Sequence, residues 1–164
     1  MIDAKDGVQQ QDLHILSIIQ KNGKGLVVLV NKWDLIEKET NTLRQYEAEV
    51  KARMEPFTDV PVVFISVLEK QRILKAMEMG MKVYEDRSRK IPTRKLNDFL
   101  LPIIVRQPPP MYKSKQVNIK FINQLPTVVP TFVFYCNLPQ YVNPSYVRFL
   151  ENRMRELFSF SGVP

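Results

Sequence analysis

With 164 residues, 45% hydrophobic and 25% charged, the chain has the composition of a globular protein and the length of one large domain or two small ones, which excludes wholesale disorder. It has no apolar run long enough to span a bilayer and no charged-then-apolar leader, so neither a membrane span nor secretion is expected. A single cysteine, Cys136, and a single histidine, His14, exclude an internal disulfide, a zinc set and a His-based triad; Cys136 reads as a buried core thiol and His14 as a helix-surface residue. The net charge of +7 is uneven: residues 1–87 hold 13 Lys and Arg against 14 Asp and Glu, net −1, while residues 88–164 hold 11 against 3, net +8. A near-neutral first domain and a basic second one with an anionic partner follow, RNA being the leading candidate.

Taken in order, Met1–Ala4 reads as the tail of a strand that starts upstream, followed by a Lys-Asp-Gly turn. From Gln9 to Lys21, Leu13, Leu16 and Ile19 recur at helical spacing, with Ile15 and Ile18 widening the stripe, and Gly23 and Gly25 end the helix. Val27–Val30 is a run of four β-formers, the pattern of a short strand buried on both faces in a parallel sheet. A charged loop follows, then a helix from Thr42 to Met54 with Leu43, Tyr46 and Val50 on one face and a capping box from Thr42 to Gln45. Pro56 and Pro61 bound the next turn, and Val62–Ile65 is a second buried strand ending at Ser66. Gln71–Arg87 is helical, with Ile73, Ala76, Met77, Gly80, Val83 and Tyr84 on the packing side; Met77, Met79 and Met81 read as core and groove fillers. Alternating helices and short buried strands imply a parallel α/β layer sandwich over residues 1–87.

The charged stretch Arg87–Lys95 is the expected boundary. Leu96, Phe99, Leu100, Ile103 and Ile104 continue as an amphipathic helix, kinked at Pro102 or restarted there, and stopped by Pro108–Pro110. Residues 116–122 alternate, which places Val117, Ile119 and Phe121 on one face, and residues 131–136 form the paired strand. Asn143-Pro144 opens a last helix whose apolar side is Tyr146, Val147, Leu150, Met154, Leu157 and Phe158. A helix-strand-strand-helix order ending in Phe-Ser-Gly-Val-Pro calls for one further strand, because a two-stranded sheet is marginal by itself.

The chemistry concentrates at Asn31-Lys32-Trp33-Asp34, the carboxyl end of the first buried strand, where ligands bind in open α/β sheets. Guanine offers N1–H and N2–H₂ side by side, and one fixed carboxylate, Asp34, can accept from both. Asn31 can donate to the acceptor edge of the base or brace the neighbouring loop, and the Lys32 stem can lie along the ring. Adenine lacks the paired donors and would leave Asp34 unpaired, so such a site can reject it by several powers of ten. The stretch resembles the Asn-Lys-x-Asp guanine-specificity motif of GTPases. Ser66-Val67-Leu68 resembles the fifth GTPase motif, Ser-Ala-Lys/Leu, with Val67 in place of the usual Ala. That resemblance implies a backbone N–H at Val67 for guanine O6 and a Ser66 hydroxyl tying the two loops.

Together with these motifs, IDAKDGVQQQDLHI, RKIPTRKLNDFL and the closing RFLENRMRELFSFSGVP resemble the Der (EngA) family of bacterial ribosome-assembly GTPases, which carry two tandem GTPase domains and a KH-like domain. The resemblance covers the whole chain and is most specific from Tyr146 to Arg153. Glu69-Lys70 stands where the family commonly has Thr-Gly. The implied fold is α/β: a partial P-loop-type GTPase three-layer sandwich over residues 1–87, then an α+β KH-like domain over 88–164 that lacks its last strand. GTP or GDP is the implied ligand of the parent protein, and the bacterial cytoplasm its location.

Two motifs are missing. No two of the five glycines stand five apart, so there is no Gly-x-x-x-x-Gly-Lys-Ser/Thr P-loop, and Asp3 and Gly7 miss the Asp-x-x-Gly spacing that places the Mg²⁺-linked aspartate by one residue. This chain by itself is therefore expected not to hydrolyse GTP. Residues 88–164 contain only Gly162, so the Gly-x-x-Gly clamp of ordinary KH domains is absent, and RNA contact falls to Arg89, Lys90, Arg94, Lys95, Arg148, Arg153 and Arg155. A nucleotide-independent module for rRNA or ribosomal protein is the alternative function. Half a sheet also exposes an unpaired edge, which invites an edge-paired or swapped dimer.

Overall fold

A computed structural model describes residues 1–37, 39–55 and 57–164, so Pro56 of the expected turn lies outside it. The chain divides into two compact units, Met1–Arg87 with Phe160–Pro164, and Ser88–Ser159.

The first unit runs β1 (Ile2–Asp3), α1 (Gln10–Lys21), β2 (Val28–Asn31), α2 (Thr42–Arg53), β3 (Val62–Phe64) and most of α3 (Ile73–Ser88). Parallel strands need crossovers, and each helix between consecutive strands supplies one. The sheet order is β1-β2-β3, with Ile2 opposite Val30 and Leu29 opposite Val63. Val28, Val30, Val63 and Phe64 are buried because helices cover the sheet, which is why these strands read as continuous apolar runs. The core gathers Ile2, Leu16, Val30, Trp33, Val50 and Phe64.

Capping differs from expectation. Asp12 accepts from the Gln9 N–H at 2.9 Å, so α1 carries the reciprocal first-turn contact. The expected box at Thr42 is not formed: the Thr42 hydroxyl accepts from the Glu39 N–H at 2.8 Å and Gln45 N–H donates to the Asn41 carbonyl. Thr42 secures the turn before the helix, and Asn41 is the cap position. On α3 the methionine reading is corrected. Val83 is buried, whereas Leu74, Met77, Met81 and Tyr84 stand 75%, 64%, 65% and 67% exposed. Apolar residues occupy two sides of that helix, and only one of them meets the sheet.

The closing segment lies with this first unit. Phe160 and Val163 are buried, Leu26 N–H donates to the Gly162 carbonyl at 2.8 Å, and Gly162 N–H donates to the Asp59 backbone carbonyl at 2.6 Å. Gly162 holds φ +72°, and a Cβ there would collide with the Leu26 carbonyl and sit 2.8 Å from Val83. Only glycine fits.

The second unit contains α4 (Thr93–Arg106), β4 (Ile119–Gln124), β5 (Phe132–Cys136) and α5 (Pro144–Phe158). Helix α4 runs through Pro102 without restarting and buries Leu96, Leu100 and Ile104. The Asn143 side chain accepts from Ser145 N–H at 3.0 Å and Pro144 begins α5, whose inner side is Tyr146, Leu150, Met154 and Phe158; Val147 and Leu157 are exposed. Asn97 of α4 grips β4 by bonding both the N–H (2.9 Å) and the carbonyl (2.8 Å) of Ile122. The antiparallel β4–β5 ladder has an irregularity between Ile119, opposite Cys136, and Phe121, opposite Tyr135. This bulge shifts the alternation by one residue. Ile122 is fully buried and Phe121 is 44% exposed, the reverse of the expected facing for Phe121.

Candidate guanine-binding site

Asn31 closes β2 directly beside Asp3 at the end of β1. Lys32 then takes the left-handed conformation, φ +62°, which bends the chain into a short 3-10 turn over Trp33–Leu35. Trp33 anchors this turn in the core, 4.3 Å from the Phe64 ring and edge-on to Tyr46 at 5.4 Å. Its N–H donates to the Ile65 carbonyl at 3.1 Å, and Ala4 N–H donates to Asn31 at 2.9 Å, so backbone bonds join the ends of all three strands.

The second loop follows β3. Ser66 is buried and pairs with Gln71 through two backbone bonds, which closes residues 66–71 into a tight turn. Val67 and Leu68 project outward, 52% and 83% exposed. The bond between the loops is not made by the Ser66 hydroxyl, which accepts from Glu69 N–H within its own turn at 3.1 Å. Asn31 Oδ1 makes it, accepting from Val67 N–H at 3.1 Å. A base that took this N–H would have to share it with Asn31.

Lys32 reaches Asp3 at 2.5 Å. The hydrogen bond from Lys32 holds the Asp3 carboxyl below its usual range, and the same bond raises the Lys32 ammonium. Asp34 behaves differently: it is half-buried, and its Oδ1 is shut away from water with no hydrogen-bond partner among the described residues. A buried carboxylate oxygen without a donor is costly, and a ligand carrying adjacent N–H groups would remove that cost. Guanine carries such an adjacent pair, and a carboxylate is the group that can accept from both. The chain has no Gly-x-x-x-x-Gly-Lys-Ser/Thr spacing to cradle phosphates. Sequence reasoning missed Asp3 as the partner of Lys32; the parallel pairing that aligns the ends of β1 and β2 is the signal that could have found it.

The seven basic candidates of residues 88–164 fall into two groups. Arg89 donates to the Phe158 carbonyl at 2.7 Å, closing the end of α5. Arg94 pairs with Asp98 at 3.6 Å, Arg153 with Glu156 at 2.6 Å and Arg155 with Glu151 at 2.9 Å, all within helices. Lys90, Lys95 and Arg148 are exposed. Among the described residues there is no His, Cys, Asp and Glu cluster that could hold a metal, and no helix is long and apolar enough to cross a membrane.

Residues 1–103 match the elongation factor Tu GTP-binding domain family, and residues 90–164 match the KH-domain-like C-terminal domain of EngA bacterial GTPase enzymes. The whole chain is 58% identical to a GTPase Der of Christiangramia forsetii, 55% to one of Bacteroides thetaiotaomicron and 52% to one of Porphyromonas gingivalis, covering 38% of each. The chain thus spans 38% of the length of the curated relatives it matches. With one match running over more than half of the chain and the other naming the family by its C-terminal domain, this chain belongs to the Der (EngA) family of GTPases.

Proposed function

We propose that residues 1–87 carry the guanine-reading half of a GTP-binding site, and that the parent protein uses it in assembly of the bacterial large ribosomal subunit in the cytoplasm. The observation that carries the nucleotide reading is the buried, donor-less Oδ1 of Asp34 beside the Asn31–Val67 bridge. Asp34 accepts from guanine N1–H and N2–H₂, Asn31 and Val67 face the opposite edge, and Ser66, Leu68 and the Lys32 stem frame the ring. The phosphates and Mg²⁺ are held elsewhere in the parent, so this chain binds the base weakly and does not hydrolyse GTP.

Titrating GMP and AMP against the chain, with the amide resonances of residues 31–34 and 66–68 as readout, tests this. GMP should shift them and AMP should not. Asp34→Asn replaces the acceptor by a donor, so it should lose GMP and gain XMP, whose 2-oxo group accepts. Equal responses to GMP and AMP would overturn the assignment.

The net charge of +8 over residues 88–164 favours a second activity in the same chain, contact with rRNA. Affinity for RNA that falls steeply with salt and is unchanged by GDP would make the nucleotide-independent module the better description; affinity that responds to GDP would link the two activities. An edge-paired dimer predicts a mass that rises with concentration in light scattering, and a strict monomer would remove it.

A further inference from the structure

The carboxylates of the second unit are confined to the first half of α4 and the second half of α5. From Phe99 to Leu150 the chain contains no Asp or Glu but five Lys and Arg: Arg106, Lys113, Lys115, Lys120 and Arg148. The carboxylates of this unit, Asp98, Glu151 and Glu156, sit on α4 and α5, each in a helical pair with an arginine. The hairpin and the loop before it thus form an acid-free surface, and Lys113, Lys115 and Lys120 have no carboxylate partner among the described residues.

That surface carries aromatic rings. Because the bulge in β4 turns Phe121 outward, it stands 44% exposed opposite Tyr135, 50% exposed, with ring centroids 5.6 Å apart. Lys120, the bulge residue, is exposed next to them. The same end of the hairpin is tied to the loop before it: Asn137 accepts from Asn118 N–H at 2.8 Å and donates to Gln116 at 3.0 Å. In that loop Tyr112 pairs with Lys115 across a tight turn in which Lys113 and Ser114 are both left-handed, φ +44° and +61°. Tyr112 lies flat on Tyr141 at 3.9 Å, so the turn that presents Lys113 and Lys115 is braced.

We propose that the outer face of the β4–β5 hairpin is a stacking platform for single-stranded RNA. Bases stack on Phe121 and Tyr135, and Lys113, Lys115 and Lys120 meet the phosphates. This rests on the reading of the second unit as an RNA-binding module and moves its contact surface from the helical arginines to the sheet. The physical argument is that an exposed aromatic pair on a rigid strand accepts any base face, while lysines without local carboxylates supply the charge that phosphates need. A binding mode of this kind needs no Gly-x-x-Gly clamp, which this unit lacks.

The test is fluorescence anisotropy of a labelled oligouridylate of about ten nucleotides against the 164-residue chain. Phe121→Ala and Tyr135→Ala should each weaken binding about tenfold, and Tyr135→Phe should leave it within about twofold, since stacking does not use the hydroxyl. Phe121→Trp gives a direct readout: affinity is kept and the new indole is quenched on binding, over the constant background of Trp33, which is 4% exposed. If the wild type binds but neither alanine variant weakens and the indole is not quenched, the platform is wrong while the RNA reading stands. Binding confined to duplex RNA would overturn the platform in the same way. No binding to either RNA form removes the RNA reading of this unit, and the platform with it.

Discussion

In the proposed guanine site selectivity would rest on Asp34, whose buried Oδ1 has no donor among the described residues, while Asn31 accepts from the Val67 N–H and so bonds the two loops together. Asn31→Ala removes the acceptor of the Val67 N–H and should cost about 1 kcal/mol in urea unfolding, with the GMP response weakened alongside. Lys70 is held at φ +52° where the family commonly has glycine. A left-handed non-glycine residue is strained by about 1–2 kcal/mol and glycine restores part of that as chain entropy, so Lys70→Gly should raise stability by about 0.5 kcal/mol. The Asp3–Lys32 pair adds a pH dependence. Asp3 has a depressed pKa, so its contribution is complete above the ordinary carboxylate range and is lost as pH falls through its folded value. Lys32 has a raised pKa, so its contribution is complete below the ordinary lysine range and is lost as pH rises through its folded value. Lys32 is exposed and Asp3 half-buried at the surface, so solvent screens the pair, and the difference in melting temperature between wild type and Asp3→Asn should be small and should shrink at high salt as well as at low pH.

At the scale of elements, the strands and helices of the first unit were legible because each rests on a strong local signal, β-branched runs for β2 and β3 and apolar spacing for α1; in the second unit a cap followed by proline marks α5 in the same way. Which apolar side of α3 is covered was not legible. Val83 is buried and Met77 exposed, and either stripe has helical period. The bulge in β4 was hidden for a related reason: residues 116–121 alternate, and the adjacent apolar pair Phe121-Ile122 leaves open which of the two faces inward until the ladder register is known. The facing it sets can be measured. Ile122→Ala opens a cavity between β4 and α4 and should cost about 2–5 kcal/mol, whereas Phe121→Ala should cost less than about 1 kcal/mol. The opposite ranking would restore the unshifted alternation.

For the whole molecule, the segment Phe160–Pro164 decides more than its length suggests. It leaves α5 and adds Phe160 and Val163 to the first unit, fastened by Gly162 between Leu26 and Asp59. Gly162→Val cannot take φ +72° without strain or avoid the Leu26 carbonyl, so the segment should be expelled, at a loss of about 3 kcal/mol or more from strain and two apolar side chains. Hydrogen exchange should show this as lost protection at the amides of Leu26 and of residue 162 with the amides of α4 and α5 unchanged; intact protection at Leu26 would mean that the segment does not need glycine there. Local order, then, was written in the sequence: the strands, the helices, the change in charge after residue 87 and the Asn-Lys-x-Asp spacing all depend on neighbours within a few residues. The tertiary structure alone decided that Asn31 binds Val67, that Asp3 holds Lys32, that Phe121 faces outward and that Gly162 returns to Leu26. Each of these joins residues that chain spacing leaves unrelated, and only strand register and the packing of one element on another bring them within reach.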